Sequence, residues 1–435
     1  MQNKMSMHII GGGISGLGLA WILSRRGIPV TVIESQPQLG GNATWLKLNG
    51  FTVDCFYHII TGRDRYLLNL LKELGIKDRI FPVRARMGFY KKGITYPISS
   101  LAEFLSFPAI SPLGRLRMAY CLIRSRMTVD YKNLDSLTAK DWLSSLCGKE
   151  NYEELWKPVM RSKFGSATDE IAATDMWFRI NRISSLSSRR AERGIYYIKG
   201  GLKVIFDALE NRLKENNVSI IKNTAVLGLE VNGTKARALR LSSGEELSCE
   251  RAVFTGSLPD YIRLFPQSYS SYVEKLKMIR YLNNLTLIML LKERFSPFYQ
   301  LNIGEEGFPF TGIIGADILY PPAEFGGGHI LYISKYFFGS NDYPDMSADG
   351  LLERYLPYLK KICPGFERSW VLAKQVVAKE DVEAMHTLNY SKLVPEKRTP
   401  LENIFLLSTV QIYPEPTVLD ACLQYGAEFA DKFYG

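Results

Sequence analysis

Residues 8–34 read HIIGGGISGLGLAWILSRRGIPVTVIE, and this stretch decides the fold. His8 to Ile10 is a short apolar run that stops at a glycine cluster. Leu17, Leu19, Ala20 and Leu23 continue with roughly helical spacing, Gly27 ends the helix, and Val30, Val32 and Ile33 make a second buried run. Strand, tight turn, helix and strand within about 30 residues is a βαβ unit with a right-handed crossover. Gly11-x-Gly13-x-x-Gly16 falls between strand and helix, and Glu34 closes the second strand. Gly11 permits the tight turn, Gly13 lets backbone approach a pyrophosphate, and Gly16 lets the helix pack close to its strand. The first helical turn, with Ile14 and Ser15, offers free N–H groups and partial positive charge to that pyrophosphate. Glu34, followed by Ser35, is placed to accept hydrogen bonds from an adenosine ribose. A glycine-rich turn without a ligand is the competing account; the acidic residue and the helix pattern weigh against it.

Working outward, 435 residues exceed what one hydrophobic core usually serves, so two packed regions are expected. The composition, 46% hydrophobic and 23% charged, is that of a globular chain. Lys and Arg exceed Asp and Glu by 10, which favours anionic partners such as nucleotides, phosphorylated substrates or acidic lipid headgroups; a plain basic surface is the alternative. Six scattered cysteines with no CxxC pair fit reduced thiols. The opening residues lack the features of a secretory signal, so a cytoplasmic location is expected. Five glycines between Met5 and Ser24 argue against a membrane span there.

From Leu67 to about Trp177 the chain reads as mainly helical, with LLNLLKELG, FLSF, LRMAYCLIRSRM and AKDWLSSL as pieces. Gly200 and Gly201 precede a further helix, and VSIIKNTAVLGLEVNG then reads as strand, turn, strand. Short aromatic and β-branched runs from about Leu282 to Gln375 predict an antiparallel sheet. IFLLST is a last strand, followed by a helix from about Val418.

The run GGGISGLGLAWILSRRGIPVTVIESQPQLGGNATWLKLNGFTVD, residues 11–54, resembles the N-terminus of the protoporphyrinogen oxidase and amine oxidase superfamily of flavoproteins. Residues 197–231, RAVFTGSLP at 251–259 and residues 403–430 resemble its later flavin-contacting segments. The resemblance implies FAD as cofactor. It implies that Gly40, Gly41 and Asn42 return past the pyrophosphate, that Val226 passes the adenine with its backbone, and that Thr255, Ser408, Thr409 and Val418 lie on later FAD-contacting segments. Two departures stand out: Gln38 replaces a common arginine, and Ser408-Thr409 replace a common Gly-Asp.

The flavin carries the electron chemistry, so the protein need only bind, orient and exclude water. No metal-ligand spacing or Walker loop is present, and neither a metal nor a nucleic-acid partner is expected. His58, in DCFYHII, falls where the resemblance brings the chain near the flavin ring and is a candidate acid or base; a packed structural histidine is the competing account. Together with GGNA at 40–43, it also resembles UDP-galactopyranose mutase locally. Arg161 and Lys163, in KPVMRSKFG, are candidates to meet an anionic substrate, against a role as solvated helix charges. Tyr413, after the last strand, is a candidate wall for flavin or substrate, against an aromatic core plug. Leu116, Ala119, Tyr120, Ile123 and Met127 share a helical face flanked by Arg115, Arg117, Arg124 and Arg126. That pattern serves either the core or a membrane interface.

The expected architecture is α/β (α+β overall): a Rossmann-type FAD-binding domain assembled from residues 1–65, 196–265 and 396–435, with a helical insertion at 66–195 and an antiparallel-sheet substrate domain at 266–395. The expected function is FAD-dependent oxidation of a small organic substrate, with hydride passing to flavin N5 and reoxidation by oxygen or another acceptor. The alternatives are a reduced-flavin isomerase of a nucleotide sugar and a flavin-binding partner at an anionic membrane; oligomeric state stays open.

Overall fold

The computed structural model describes residues 5–434 apart from 101, 104–105, 109, 129, 187–193 and 340–345. Part of the expected FLSF helix, Phe104 and Leu105, lies outside the described residues. The βαβ unit forms as its pattern predicts, with strand Met7–Ile10, helix Ile14–Arg25 and strand Val30–Ile33. Met7 to Ile10 is buried at every position, as a strand covered on both faces must be. It is the centre of a five-stranded parallel sheet in the order Ser219–Ile221, Val30–Ile33, Met7–Ile10, Ala252–Phe254, Ile404–Leu406. One Rossmann-type sheet thus draws strands from the beginning, middle and end of the chain. Helix Leu419–Tyr434 closes it by packing on Ile14–Arg25; a Cβ at Gly18 would lie 2.4 Å from Leu423 Cδ2, so glycine sets how closely the two helices meet.

The second sheet has seven strands. Val371–Ala384, Tyr281–Leu291, His329–Phe337, Gly312–Gly315 and Gln300–Ile303 pair antiparallel in that order, with Leu287 opposite both Ile333 and Val376. Helix Ala348–Ile362 buries Leu351, Leu352, Tyr355 and Leu359 in a core shared with Leu285 and Leu287. The antiparallel sheet is therefore present and extends past Gln375 to Ala384.

One expectation for the insertion needs correction. The stretch from Ile80 to Pro97 is not helical. Ile80–Val83 pairs with Ile195–Ile198, while Met87–Lys91 and Ile94–Pro97 form a hairpin that completes the seven-stranded sheet. Met87–Lys91 runs parallel to Gln300–Ile303, so its partner lies some 200 residues away and leaves no local mark in the sequence. Of the two readings of the stripe on helix Pro112–Met127, the core-facing one does not hold. The stripe Leu116, Tyr120, Ile123 and Met127 is exposed, and the core takes Gly114, Met118, Cys121 and Ser125 instead. Met118 and Cys121 join an apolar core with Trp142, Leu143 and Leu155, and at Gly114 a neighbouring segment comes close: Asn151 Nδ2 donates to Gly114 O at 2.7 Å and to Cys147 O at 2.6 Å. A Cβ at Gly114 would stand 2.6 Å from Ile110 Cγ2. No helix among the described residues is long and apolar enough to cross a membrane.

Asp54, ending strand Phe51–Asp54, ties the start of helix Lys203–Glu215 to the second sheet. Its Oδ1 accepts from the Leu202 N–H at 3.1 Å, its Oδ2 from the Tyr320 hydroxyl at 2.9 Å, and its carbonyl from the Tyr332 hydroxyl at 2.8 Å. Burial pushes its pKa up to about 6, and the Leu202 and Tyr320 hydrogen bonds only partly oppose this. A carboxyl whose folded pKa is raised stabilises the fold most where it is protonated. The Asp54 contribution should be complete below pH ~4 and lost as pH rises through about 6, a change on the order of 3 kcal/mol. Thermal melts across this window should show the loss in the wild type and not in Asp54→Asn, which keeps a neutral hydrogen-bonding group there.

Candidate cofactor and active site

The three glycines of the turn serve different constraints. Gly11 has φ +120°, and a Cβ there would lie 2.6 Å from Thr255 Oγ1. Thr255 donates to the carbonyls of Ile10 and Gly11 at 3.2 and 3.1 Å, so the strand Ala252–Phe254 helps hold the turn. A Cβ at Gly16 would stand 2.0 Å from Gly11 O, which no adjustment of side chains relieves. Gly13 differs: a Cβ there would meet nothing nearer than Gly41 Cα at 3.8 Å. Gly13 instead bridges to Gly40 in parallel, and the Gly40 N–H donates to Gly12 O at 2.9 Å. Two bare backbone segments therefore run side by side at the N-terminus of helix Ile14–Arg25, which no side chain caps. Open space at Gly13 beside uncapped helical N–H groups fits a pyrophosphate. Ser15, in that first turn, is buried.

Glu34 is buried at the edge of this cradle. Its carboxylate accepts from the Gly12 N–H at 2.6 Å, the Gln36 N–H at 2.8 Å and Ser35 Oγ at 3.2 Å, leaving further lone pairs for a ribose. Gln38 is spent within the protein, donating to Thr44 Oγ1 and to Trp45 O at 3.1 Å. Asn42 donates to Val382 O at 3.3 Å, which fastens the Gly41–Ala43 turn to the long strand of the second sheet. Val226 opens strand Val226–Asn232 opposite Leu241. Ser408 and Gln411 cap a short turn over Thr409–Gln411, and Ser408 Oγ donates to Gly256 O at 3.0 Å, next to Thr255. Val418 accepts from the Cys422 N–H at 3.1 Å at the start of the last helix.

His58 Nδ1 lies 2.9 Å from Phe56 O. A carbonyl only accepts, so Nδ1 carries the proton and Nε2 is left with its lone pair. Burial lowers the His58 pKa; the Phe56 carbonyl opposes this and the Lys163 charge adds to it. Beside it the Tyr57 and Tyr336 hydroxyls face one another, and Lys163 Nζ lies 4.1 Å above the Tyr336 ring. Arg161, two residues away on helix Lys157–Phe164, points elsewhere: it pairs with Glu306 at 2.8 Å and donates to Glu305 O at 3.1 Å. The Tyr413 hydroxyl is held by Asp135 and by Thr174 Oγ1 at 2.8 Å, and its ring lies 5.1 Å from His386.

Between Tyr336 and Tyr413 runs an ionic chain that no local motif announces. Lys163 pairs with Glu383 at 2.5 Å, Arg179 with Glu383 at 2.8 Å and with Asp175, and His386 Nδ1 stands 3.3 Å from Asp175 Oδ2. Burial alone would push the Asp175 and Glu383 carboxyls up; Arg179, with His386 on Asp175 and Lys163 on Glu383, more than offsets it and holds both below their ordinary values. The chain joins helices Lys157–Phe164 and Ala173–Leu186 to strand Val371–Ala384. The only hint in the sequence was Lys163 in KPVMRSKFG.

A flavin-binding α/β fold with a walled second sheet is thus in place. The chain belongs to the flavin containing amine oxidoreductase family, whose model matches residues 14–406. It is 25% identical over 288 residues to a 4,4'-diapolycopen-4-al dehydrogenase from Metabacillus indicus, covering 60% of this chain and 58% of that protein. The match thus spans somewhat over half of that relative's length. A protein from Exiguobacterium sp. 255-15 assigned as a protoporphyrinogen oxidase superimposes with TM-score 0.77, 17% identity and 99% coverage of both chains. Reduced UDP-galactopyranose mutase superimposes with TM-score 0.74 and 15% identity, covering 98% of this chain and 94% of that one. These two likenesses concern the fold. FAD is the cofactor.

The glycines separate cofactor binding from folding. Gly13→Val should leave a folded protein that purifies without FAD, because its side chain enters space the protein itself leaves open. Gly16→Ala should unfold or precipitate, because its Cβ collides with Gly11 O. Circular dichroism together with flavin absorbance distinguishes the two; a yellow Gly13→Val protein with full FAD content would contradict the cradle.

Proposed function

We propose that this chain oxidises a small organic substrate held between the glycine cradle and the wall formed by Tyr57, His58, Lys163 and Tyr336. In this reading residues 1–65, 196–265 and 396–435 form the FAD unit. Gly11, Gly13, Ile14, Ser15, Gly16, Gly40, Gly41 and Asn42 border the pyrophosphate, and Glu34 and Ser35 the ribose. Val226 borders the adenine, and Thr255, Ser408, Thr409 and Val418 complete the site. Bound FAD supplies the acceptor, at N5, for a hydride from the substrate, and oxygen or another acceptor reoxidises it. What the protein adds is a base. The observation carrying this reading is the His58 geometry: Nδ1 is tied to Phe56 O, and burial beside Lys163 keeps the ring neutral, so Nε2 is free to take the substrate proton. Lys163 and the tyrosine hydroxyls orient a polar substrate, and Tyr413 closes the far end of the wall with its ring. Arg161, paired with Glu306, is a secondary contact at the rim.

Anaerobic flavin bleaching across porphyrinogens, amines and nucleotide sugars tests the reaction class. Bleaching by a substrate supports oxidation, whereas turnover that requires prior flavin reduction supports the isomerase alternative, which shares the fold. With the bleaching substrate in hand, His58→Ala should slow flavin reduction by roughly 10²–10⁴-fold at unchanged FAD content. The wild-type rate should rise with pH through a value below 6.5, where Nε2 loses its proton, and the variant profile should be flat. An unchanged rate per bound FAD removes His58 from the chemistry.

A further inference from the structure

Helix Pro112–Met127 carries two opposed faces. Gly114, Met118, Cys121 and Ser125 are buried against the protein. Leu113, Leu116, Tyr120, Ile123 and Met127 recur at intervals of three and four residues, which makes them one continuous stripe. At 3.6 residues per turn this stripe lies on the far side of the helix from the buried face. Its members are 53–71% exposed. Exposed apolar side chains are ordinary when scattered singly; five in a row on one helix mark a surface that something covers.

Charge identifies what covers it. Every charged residue between Pro112 and Met127 is an arginine: Arg117 and Arg124 border one side of the stripe, Arg115 and Arg126 the other. A second copy of this chain presenting the same face would set these arginine rims against each other. A protein partner would need a groove to receive a single convex helix, whereas a fluid bilayer accommodates a ridge without one. We propose that this helix docks the protein on an anionic lipid surface, with the stripe at the boundary between headgroups and acyl chains and the arginines on lipid phosphates. Arg117, Arg124 and Arg126 are exposed, and in such a setting an arginine stem can lie along the apolar rim while its guanidinium group meets phosphate. Tyr120, in mid-stripe, has the apolar body and polar tip that suit such an interface. The helix has 16 residues, about 24 Å of length, and one face already committed to the core, so it lies in the plane of the surface and does not span it.

Sedimentation of the FAD-loaded full chain with vesicles tests this directly. Binding should be strong to vesicles of phosphatidylcholine with phosphatidylglycerol, weak to phosphatidylcholine alone, and should fall as salt is raised. Arg117→Ser with Arg124→Ser should weaken it roughly 25-fold, from about a fivefold loss per arginine. Leu116→Ser with Ile123→Ser should abolish it while FAD content and melting temperature hold, since both side chains are exposed. Equal binding to neutral and anionic vesicles, binding to neither, or indifference to both double variants overturns the proposal. So does a concentration-dependent dimer in light scattering that Leu116→Ser with Ile123→Ser dissolves, which would assign the stripe to a second copy.

Discussion

The helix Ile14–Arg25 touches the turn before it so closely that Gly16 has no room for a Cβ, which would stand 2.0 Å from Gly11 O. That single contact aims the helix N-terminus at the end of strand Met7–Ile10, where the cradle lies. Every other part of the cradle is built onto it. Thr255 reaches across from the next strand to Gly11, Gly40 lies along Gly13, and Ser408 fastens the C-terminal segment to Gly256. Segments separated by more than 200 residues therefore converge on one turn. If the helix stood off by the width of a methyl group, the row of N–H groups would no longer face the open space at Gly13.

The substrate side is held by a different kind of constraint. Asp175, Arg179, Glu383 and Lys163 are charged groups with little exposure, and removing such charges from water is costly unless each meets its opposite. Here each carboxylate sees two cationic or basic neighbours, so the pairs are mutually dependent and losing one partner strands the other. Their location matters more than their net contribution to stability. They bind two helices of the insertion to the strand that Asn42 also touches, so the wall around Tyr336 is fixed relative to the cofactor turn. Asp54 acts in the opposite electrostatic sense: its partners among the described residues are a backbone N–H and tyrosine hydroxyls, burial dominates, and the group favours its neutral form where it joins helix Lys203–Glu215 to the second sheet.

These two constraints explain which parts could be read in the sequence. The cradle was legible because a pyrophosphate on bare backbone demands glycines at fixed spacing within one βαβ unit, and hydrophobic periodicity supplied the strand and helix around them. The hairpin at Met87–Pro97 was not, since its place depends on Gln300–Ile303, and nothing near Met87 encodes that pairing. The ionic chain escaped for the same reason: Lys163, Asp175, Arg179, Glu383 and His386 come from three segments, and each alone is an ordinary charged or polar residue. In KPVMRSKFG the choice between Arg161 and Lys163 rests on which side of one helix faces inward, and Arg161 has a partner in Glu306 on the other side.

Helix Pro112–Met127 shows the remaining limit most clearly. Its apolar stripe is regular enough that amphipathicity alone would bury it, and periodicity does not record that a second face exists. The buried face is made of Gly114, Met118, Cys121 and Ser125: two apolar side chains, with Gly114 and Ser125 too short to signal a buried face by hydrophobicity. Met118 and Cys121 meet an apolar core that includes Ile110, Trp142, Leu143 and Leu155, while Gly114 leaves room for the Asn151 amide to reach its carbonyl. The large side chains are then left outward, on a helix whose only charges are arginines. As at Gly16 in the cradle, a missing side chain matters at Gly114, where a Cβ would run into the Ile110 and Asn151 side chains, and this fixes which face of the helix the protein keeps.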